Sequence, residues 1–339
     1  MRIRIRRRAV LGIVGAAVLI ASAACAQRNT GSSGAAAAPS FTIIYAGQQA
    51  APNPNAVAET DFAKAIESSS KGRIKVQVHT AGDLGGPAAL LTAVKQGTIQ
   101  MTITTPQSLA SYYAPIGVLG LPFLFDSLPE AATALTSPAA GQLASGMESA
   151  TGIKVLAWQQ FGMVQLMGRD HAVTGLADLK KLRVRTIANK VATGTLSDVG
   201  AIPVPLDGSE TYTALQQKTI DSNVDPISVL YSEKDWEISK YLTIVNVQDN
   251  IAPVVINAKF FDSLPKDLQQ DVTAAAQQVA ADEVKQIESL DQQDITAMQK
   301  SGVHVNTLSP DVVAQWRSAT TKLGDTYDKS TVAGLTGGT

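Results

Sequence analysis

The chain has 339 residues, 45% hydrophobic and 17% charged, with 28 basic side chains against 29 acidic ones. Five arginines crowd its first eight residues, so the rest holds 23 basic against 29 acidic groups, a net charge of −6. That balance, with no basic run, excludes nucleic acid and anionic lipid surfaces as partners.

Arg2, Arg4, Arg6, Arg7 and Arg8 precede an apolar stretch at 9–21 that is too short to span a bilayer. Residues 1–24 therefore read as a signal peptide. Small residues lead to the only cysteine, Ala21-Ser22-Ala23-Ala24-Cys25. One reading is lipoprotein processing, with Cys25 diacylated as the new N-terminus and the chain tethered to a membrane. The other is ordinary cleavage at Ala24-Cys25-Ala26, since Ser22 stands where lipoprotein sites prefer an apolar residue. Residues 25–39, rich in Ala, Gly and Ser, form a flexible tether. A single Cys allows no intrachain disulfide, so burial alone must stabilise the fold.

The remaining length suggests two lobes rather than one core. Strands are expected at 41–46, 73–79, 99–104 and 153–158, and helices at 55–69, 87–96, 129–135 and 139–150. Alternation of this kind builds an α/β sheet covered on both faces. Residues 161–168 open the second lobe. A strand at 182–186 puts Leu182 and Val184 on one face, Arg183 and Arg185 on the other. A helix at 189–199, a strand at 202–204, a helix from Ser209, then Ile220-Asp221 and a loop at 222–226 complete a β-α-β-α-β unit. Its strand ends line a crevice, and Arg185 sits at such an end. Strands at 241–247 and 254–257 return to the first lobe.

Across 264–301, Leu268, Val272, Ala275, Val279, Val284, Ile287, Leu290, Ile295 and Met298 keep a helical spacing, with Pro265 at the start and Gly302 at the stop. One helix here would run roughly 55 Å, against about 30 Å for one lobe. The other reading is two helices broken near Asp282-Glu283. A strand at 303–306 and a helix capped by Ser309 follow, and residues beyond Val332 are expected to fray. The lobes are then 40–161 with 250–288, and 162–249 with 289–339.

Several stretches together resemble one family. Leu179-x-x-Leu182-Arg183-Val184-Arg185, Gly200-Ala201-x-Pro203-x-Pro205, Ser209-Glu210-x-Tyr212-x-Ala214-Leu215-Gln216 and the Asp221-to-Pro226 segment are similar to the solute-binding proteins of tripartite ATP-independent periplasmic (TRAP) transporters. Lys71-Gly72-Arg73-Ile74, Leu84-Gly85, Gln96-Gly97 before Met101-Thr102, Leu121-Pro122-Phe123-Leu124-Phe125 and Asp262-Ser263-Leu264-Pro265 fall in the same order. The likeness runs from about Phe41 to about Tyr327. It implies a two-lobed, periplasmic-binding-protein-like α/β fold of the class II type, with a hinge and one long helix backing both lobes. It also implies an extracytoplasmic receptor that captures a small organic acid between the lobes and delivers it to TRAP membrane subunits, with no cofactor.

The resemblance assigns Arg185 to the ligand's carboxylate, which a guanidinium can hold through two parallel N–H donors. Where the family has a second arginine on the strand entering the second lobe, this chain has Val164, or Gln165 if the match slips by one residue; Arg169 lies further along as a substitute. Where the family has an asparagine before the loop proline, this chain has Asp225, which when ionised can only accept. The expected ligand therefore has one acidic group for Arg185 and a hydroxyl or amine that donates to Asp225. Gln48 and Thr105 match positions that touch ligand in relatives, and each is equally a turn or helix-cap residue. Glu210 and Tyr212 read as structural, Trp158 and Trp236 as packing residues.

The chemistry-bearing inventory argues against an enzyme. His79, His171 and His304 lie in separate segments without metal-ligand spacing. The sequence contains no GxSxG elbow, no GxxxxGK[ST] loop and no GxGxxG opening a βαβ unit. The competing readings are the binding component of an ATP-driven (ABC-type) importer or a ligand sensor, and, with less support, a secreted hydrolase.

Overall fold

The computed structural model describes residues 40–337; the signal segment, Cys25 and the tether lie outside them. Ten strands carry the fold: β1 (Phe41–Ala46), β2 (Ile74–His79), β3 (Met101–Ile103), β4 (Ile153–Gly168), β5 (Arg183–Thr186), β6 (Ile202–Pro205), β7 (Ser222–Pro226), β8 (Tyr241–Ile244), β9 (Asp249–Asn257) and β10 (His304–Thr307). The first half of the sheet runs β2-β1-β3-β9-β4 and the second continues β4-β7-β5-β6, with β8 and β10 on the other flank of β4. β4 belongs to both halves: residues 153–163 pair with β9, and 164–168 pair with β7.

Two separate strands were expected where β4 is one strand of 16 residues. The apolar run is continuous because both faces are covered. A register shift between Gln160 and Met163 turns the strand from one half to the other. Gly162 sits in that bulge at φ +102°, a conformation that side chains rarely adopt. β9 likewise begins at Asp249 rather than at 254, because it follows β4 across the turn.

The segment 222–226, expected as a loop, is strand β7. It pairs parallel with β5 and antiparallel with β4. Asn223 and Asp225 therefore share one face of the sheet with Arg185. The helix expected from Ser209 starts as a 3-10 turn (Gly208–Glu210) and continues as Thr211–Gln216.

The helix Lys266–Lys300 is unbroken over 35 residues, so the two-helix reading falls. Its contacts explain the length. Leu268, Val272, Ala275, Ala276, Val279 and Ala280 pack into the first half's core, Ile287 meets Leu128 and Met163 at the crossover, and Met298 enters a second-half cluster with Met167 and Leu242. The C-terminal residues correct another expectation. Instead of fraying within the second lobe, Lys329–Thr336 is a helix, and Leu335 is buried in the first half's core beside Ala139 and Ala140.

Candidate functional site

Arg185 is 6% exposed, on β5 one residue before its end. Its Nε donates to the Leu206 carbonyl at 3.1 Å, and its Nη1 to Asp225 Oδ2 at 2.8 Å. Asn223 Nδ2 donates to Asp225 (3.0 Å) and to Asp235 (2.7 Å). Arg185 Nη2 has no hydrogen-bond partner among the described residues. It points to Gly208, lying 3.6 Å from where a Cβ on that glycine would stand; Glu233 Oε1 is 3.6 Å and Gln49 Nε2 3.7 Å from the same point. Three polar groups from β5, from the loop after β1 and from the helix end beyond Ser232 thus converge on one backbone position. Gln49 belongs to the first half of the molecule, the others to the second.

The charges in this place are unbalanced. One guanidinium faces three carboxyls, and Coulomb repulsion among buried acids is resolved by holding protons. Burial, reinforced by Asp225 and Asp235 and opposed by Arg185 and the Gln49 amide, pushes Glu233 up to about 8. Burial pushes Asp235 to about 7, against the hydrogen bond from Asn223. Asp225 is also raised by burial, with the Arg185 guanidinium and the Asn223 amide pulling the other way. Glu233 Oε2, Asp235 Oδ1 and Asn223 Oδ1 are buried without partners among the described residues.

The other expected residues go elsewhere. Gln48 donates to the Gly85 carbonyl at 2.7 Å and ties down the loop at 82–85; the adjacent Gln49 reaches Glu233 instead. Thr105 caps the short helix Pro106–Leu109, accepting from the Ser108 N–H at 3.1 Å. Gln165 is taken up by backbone: its Oε1 accepts from the N–H groups of Val245 and Asn246, and its Nε2 donates to the Met163 carbonyl and to Asn246 Oδ1. Val164 packs on the Phe123 and Leu166 core. Arg169 is no substitute cation. With Arg183 it clamps Asp221 at the start of β5, and Arg183 binds that carboxylate through Nε (2.8 Å) and Nη2 (2.5 Å). These guanidiniums hold Asp221 below the usual carboxylate range. Asp221 thus pins strands, and Asp225 alone of the pair approaches Arg185.

Gln49, Glu233 and Asp235 were missed from sequence. Reading 222–226 as a strand would have put Asn223 beside Asp225, because alternate residues share a face. Glu233 and Asp235 lie in Tyr231-Ser232-Glu233-Lys234-Asp235, whose turn at Lys234 (φ 63°) no periodicity announces. Two open grooves lie apart from this convergence. One, of about 430 Å³, runs past Arg169, His171 and Asp221, and the other, of about 300 Å³, lies between Leu121–Leu124 and Arg317. In the first, the arginine and aspartate already satisfy each other, so the open donor at Arg185 marks the better candidate.

The profile of bacterial extracellular solute-binding protein family 7 matches residues 46–330. The 2,3-diketo-L-gulonate-binding periplasmic protein YiaO of Escherichia coli is 30% identical over 251 residues, covering 74% of this chain and 76% of the relative. The C4-dicarboxylate-binding periplasmic protein DctP of Vibrio cholerae is 26% identical over 84% of this chain and 85% of its own. Among solved structures, the sugar acid binding protein DctPAm of Advenella mimigardefordensis in complex with galactonate superposes with a TM-score of 0.83 at 26% identity, covering 88% of this chain and 98% of that one. With the profile spanning nearly all of the described fold, and two-lobed TRAP proteins as its structural neighbours, this chain belongs to the bacterial extracellular solute-binding proteins of family 7, the TRAP solute-binding proteins.

Proposed function

We propose that this protein is the extracytoplasmic receptor of a TRAP transporter and captures a small organic acid where Arg185, Asp225, Gln49 and Glu233 meet. The observation that carries the reading is the Arg185 Nη2 donor, unpartnered among the described residues on a largely buried side chain and turned to a point that both halves of the molecule reach. A carboxylate accepts well from such a donor, and a hydroxyl or amine on the same ligand can donate to Asp225. A ligand held by Gln49 from one half and Arg185 from the other binds the shut form more tightly than the open one, and so shifts the population towards closure. The shut form then docks on the transporter's membrane subunits. Cys25, in its Ala-Ser-Ala-Ala-Cys setting, supports a lipid tether to the membrane; a chain of unmodified mass after expression with its native leader would sink that part alone.

The relatives' ligands, a diketogulonate, C4-dicarboxylates and galactonate, supply the screening panel of sugar acids and dicarboxylates. Native mass spectrometry of the purified protein identifies any acid it carries. Calorimetry with the best binder should then show that Arg185→Ala weakens binding by roughly 2–5 kcal/mol, because truncation strands an unpaired carboxylate. Arg185→Lys keeps the charge but loses the planar fork, and should recover only part of the loss. A change below about half a kcal/mol in both variants would place the ligand elsewhere.

A further inference from the structure

We infer that the captured acid also carries an ammonium group, held by Glu233 beside the Arg185 carboxylate subsite. The inference rests on the receptor reading above and names the ligand class as an amino acid or another small zwitterion. Arg185 Nη2 and Glu233 Oε1 each lie 3.6 Å from the point over Gly208, so they are no more than about 7 Å apart. That span suits a carboxylate and an ammonium on one small molecule.

Charge decides between an ammonium and a hydroxyl. Arg185 already faces Asp225 in an ion pair, so a bound carboxylate has to share that guanidinium. Glu233 then faces Asp225 on β7 and Asp235 on the following helix, with only the shared Arg185 and the neutral Gln49 against them. A hydroxyl satisfies an acceptor but brings no counter-charge, so Glu233 stays protonated beside it. An ammonium does both, donating up to three hydrogen bonds. A plain dicarboxylate brings no cation to the three acids, and its second carboxylate is repelled by whichever of them is ionised. Gly208 contributes by its size: a Cβ there would touch all three polar groups and cover them.

Isosteric pairs of acids test the idea on the whole protein: alanine with lactate, serine with glycerate, aspartate with malate, and 4-aminobutyrate with 4-hydroxybutyrate. By calorimetry and thermal shift, the amine member of at least one pair should bind about tenfold or more tightly than its hydroxy partner. In Glu233→Gln that preference should shrink to about threefold or less, the readout that a purely structural role would not move. The ammonium needs Glu233 ionised, and this group holds its proton up to about 8. Binding at pH 7 should therefore release a proton to the buffer, and affinity should rise from pH 6 to pH 8. Preference for the hydroxy member, an unchanged preference in Glu233→Gln, affinity that falls with pH, or no binding by any amine each overturns the inference. If Arg185→Lys impairs binding of a hydroxy acid while Glu233→Gln does not, the receptor reading stands and only the ammonium fails. If acids bind and neither variant matters, the receptor site itself is misplaced.

Discussion

Glu59 is fully buried, and neither of its carboxyl oxygens has a hydrogen-bond partner among the described residues. It lies over the end of β1 in the space left by Gly47; a Cβ on that glycine would stand 1.7 Å from Glu59 Oε1. Any side chain at 47 must therefore displace a buried carboxyl, which gives Gly47 a steric reason quite apart from backbone freedom. Burial pushes Glu59 to about 8. The sign for stability follows from proton counts. An unfolded glutamate ionises near its ordinary value of about 4.3, while the folded one keeps its proton to about 8, so between these values the native state binds more protons. Stability should fall as pH rises through that window and level off above it, by at most about 1.4 kcal/mol per pH unit for one group. Glu59→Gln cannot ionise. Urea denaturation at pH 5, 6.5 and 8 should show the variant gaining on the parent protein at each step, whatever their offset at pH 5. Parallel pH curves would mean that Glu59 is not the buried acid described here.

Among the elements, β4 is the one whose interruption decides how the halves meet. Gly162 takes φ +102° in its bulge, and a Cβ there would lie 3.3 Å from Asp291 Oδ2 and 3.5 Å from Ile287 on the long helix. Gly162→Ala should therefore destabilise by roughly 1–3 kcal/mol from backbone strain, more if the helix cannot give way. Urea titration measures it, and a loss below about half a kcal/mol would mean the bulge relaxes without strain. The sequence displayed much of this architecture, though unevenly. β1 and the helix Pro87–Gln96 could be bounded to the residue because a β-branched and aromatic run stopped by Gly47, or a proline start and glycine stop, marks their ends. The continuity of the long helix followed from apolar spacing held across the Asp282-Glu283 doubt. β7 did not follow, because Ser222-Asn223-Val224-Asp225-Pro226 has one apolar side chain between polar neighbours, and its strand character comes from pairing with β4 and β5. At the candidate site, Arg185 and Asp225 could be picked out by motif. Gln49 could not, since two adjacent glutamines in a turn differ only in which way each side chain leaves the backbone, and tertiary contacts choose that.

At the scale of the whole molecule, the polar contacts between the halves among the described residues include the approach of the Gln49 amide to Glu233 and the bond from Asn189 Nδ2 to the Gln107 carbonyl at 3.3 Å, besides those of Arg317 to the Phe123 carbonyl and Asp126. The Asn189 contact is a single neutral-donor hydrogen bond contributing about 1 kcal/mol, and the Gln49 amide only approaches the Glu233 carboxyl, so these two contacts give the shut arrangement a small share of its free energy. A ligand that adds contacts to both halves is then large by comparison; at a hundredfold excess over its Kd it adds about 2.7 kcal/mol. Closure should accordingly be loose without ligand and firm with it. The Gln49→Ala, Asn189→Ala pair of substitutions tests this, since neither side chain lies in a hydrophobic core. Asn189 also caps the helix Lys190–Ser197 through Val191 and Ala192, so Asn189→Ser, which preserves a cap, serves as the control. Small-angle scattering of the liganded parent should give a radius of gyration near the value of about 19 Å expected for a compact chain of some 300 residues. The ligand-free double variant should be larger than the ligand-free parent, and saturating ligand should bring both towards the same compact value. Identical ligand-free curves for parent and variant would show that something other than these two contacts holds the halves together.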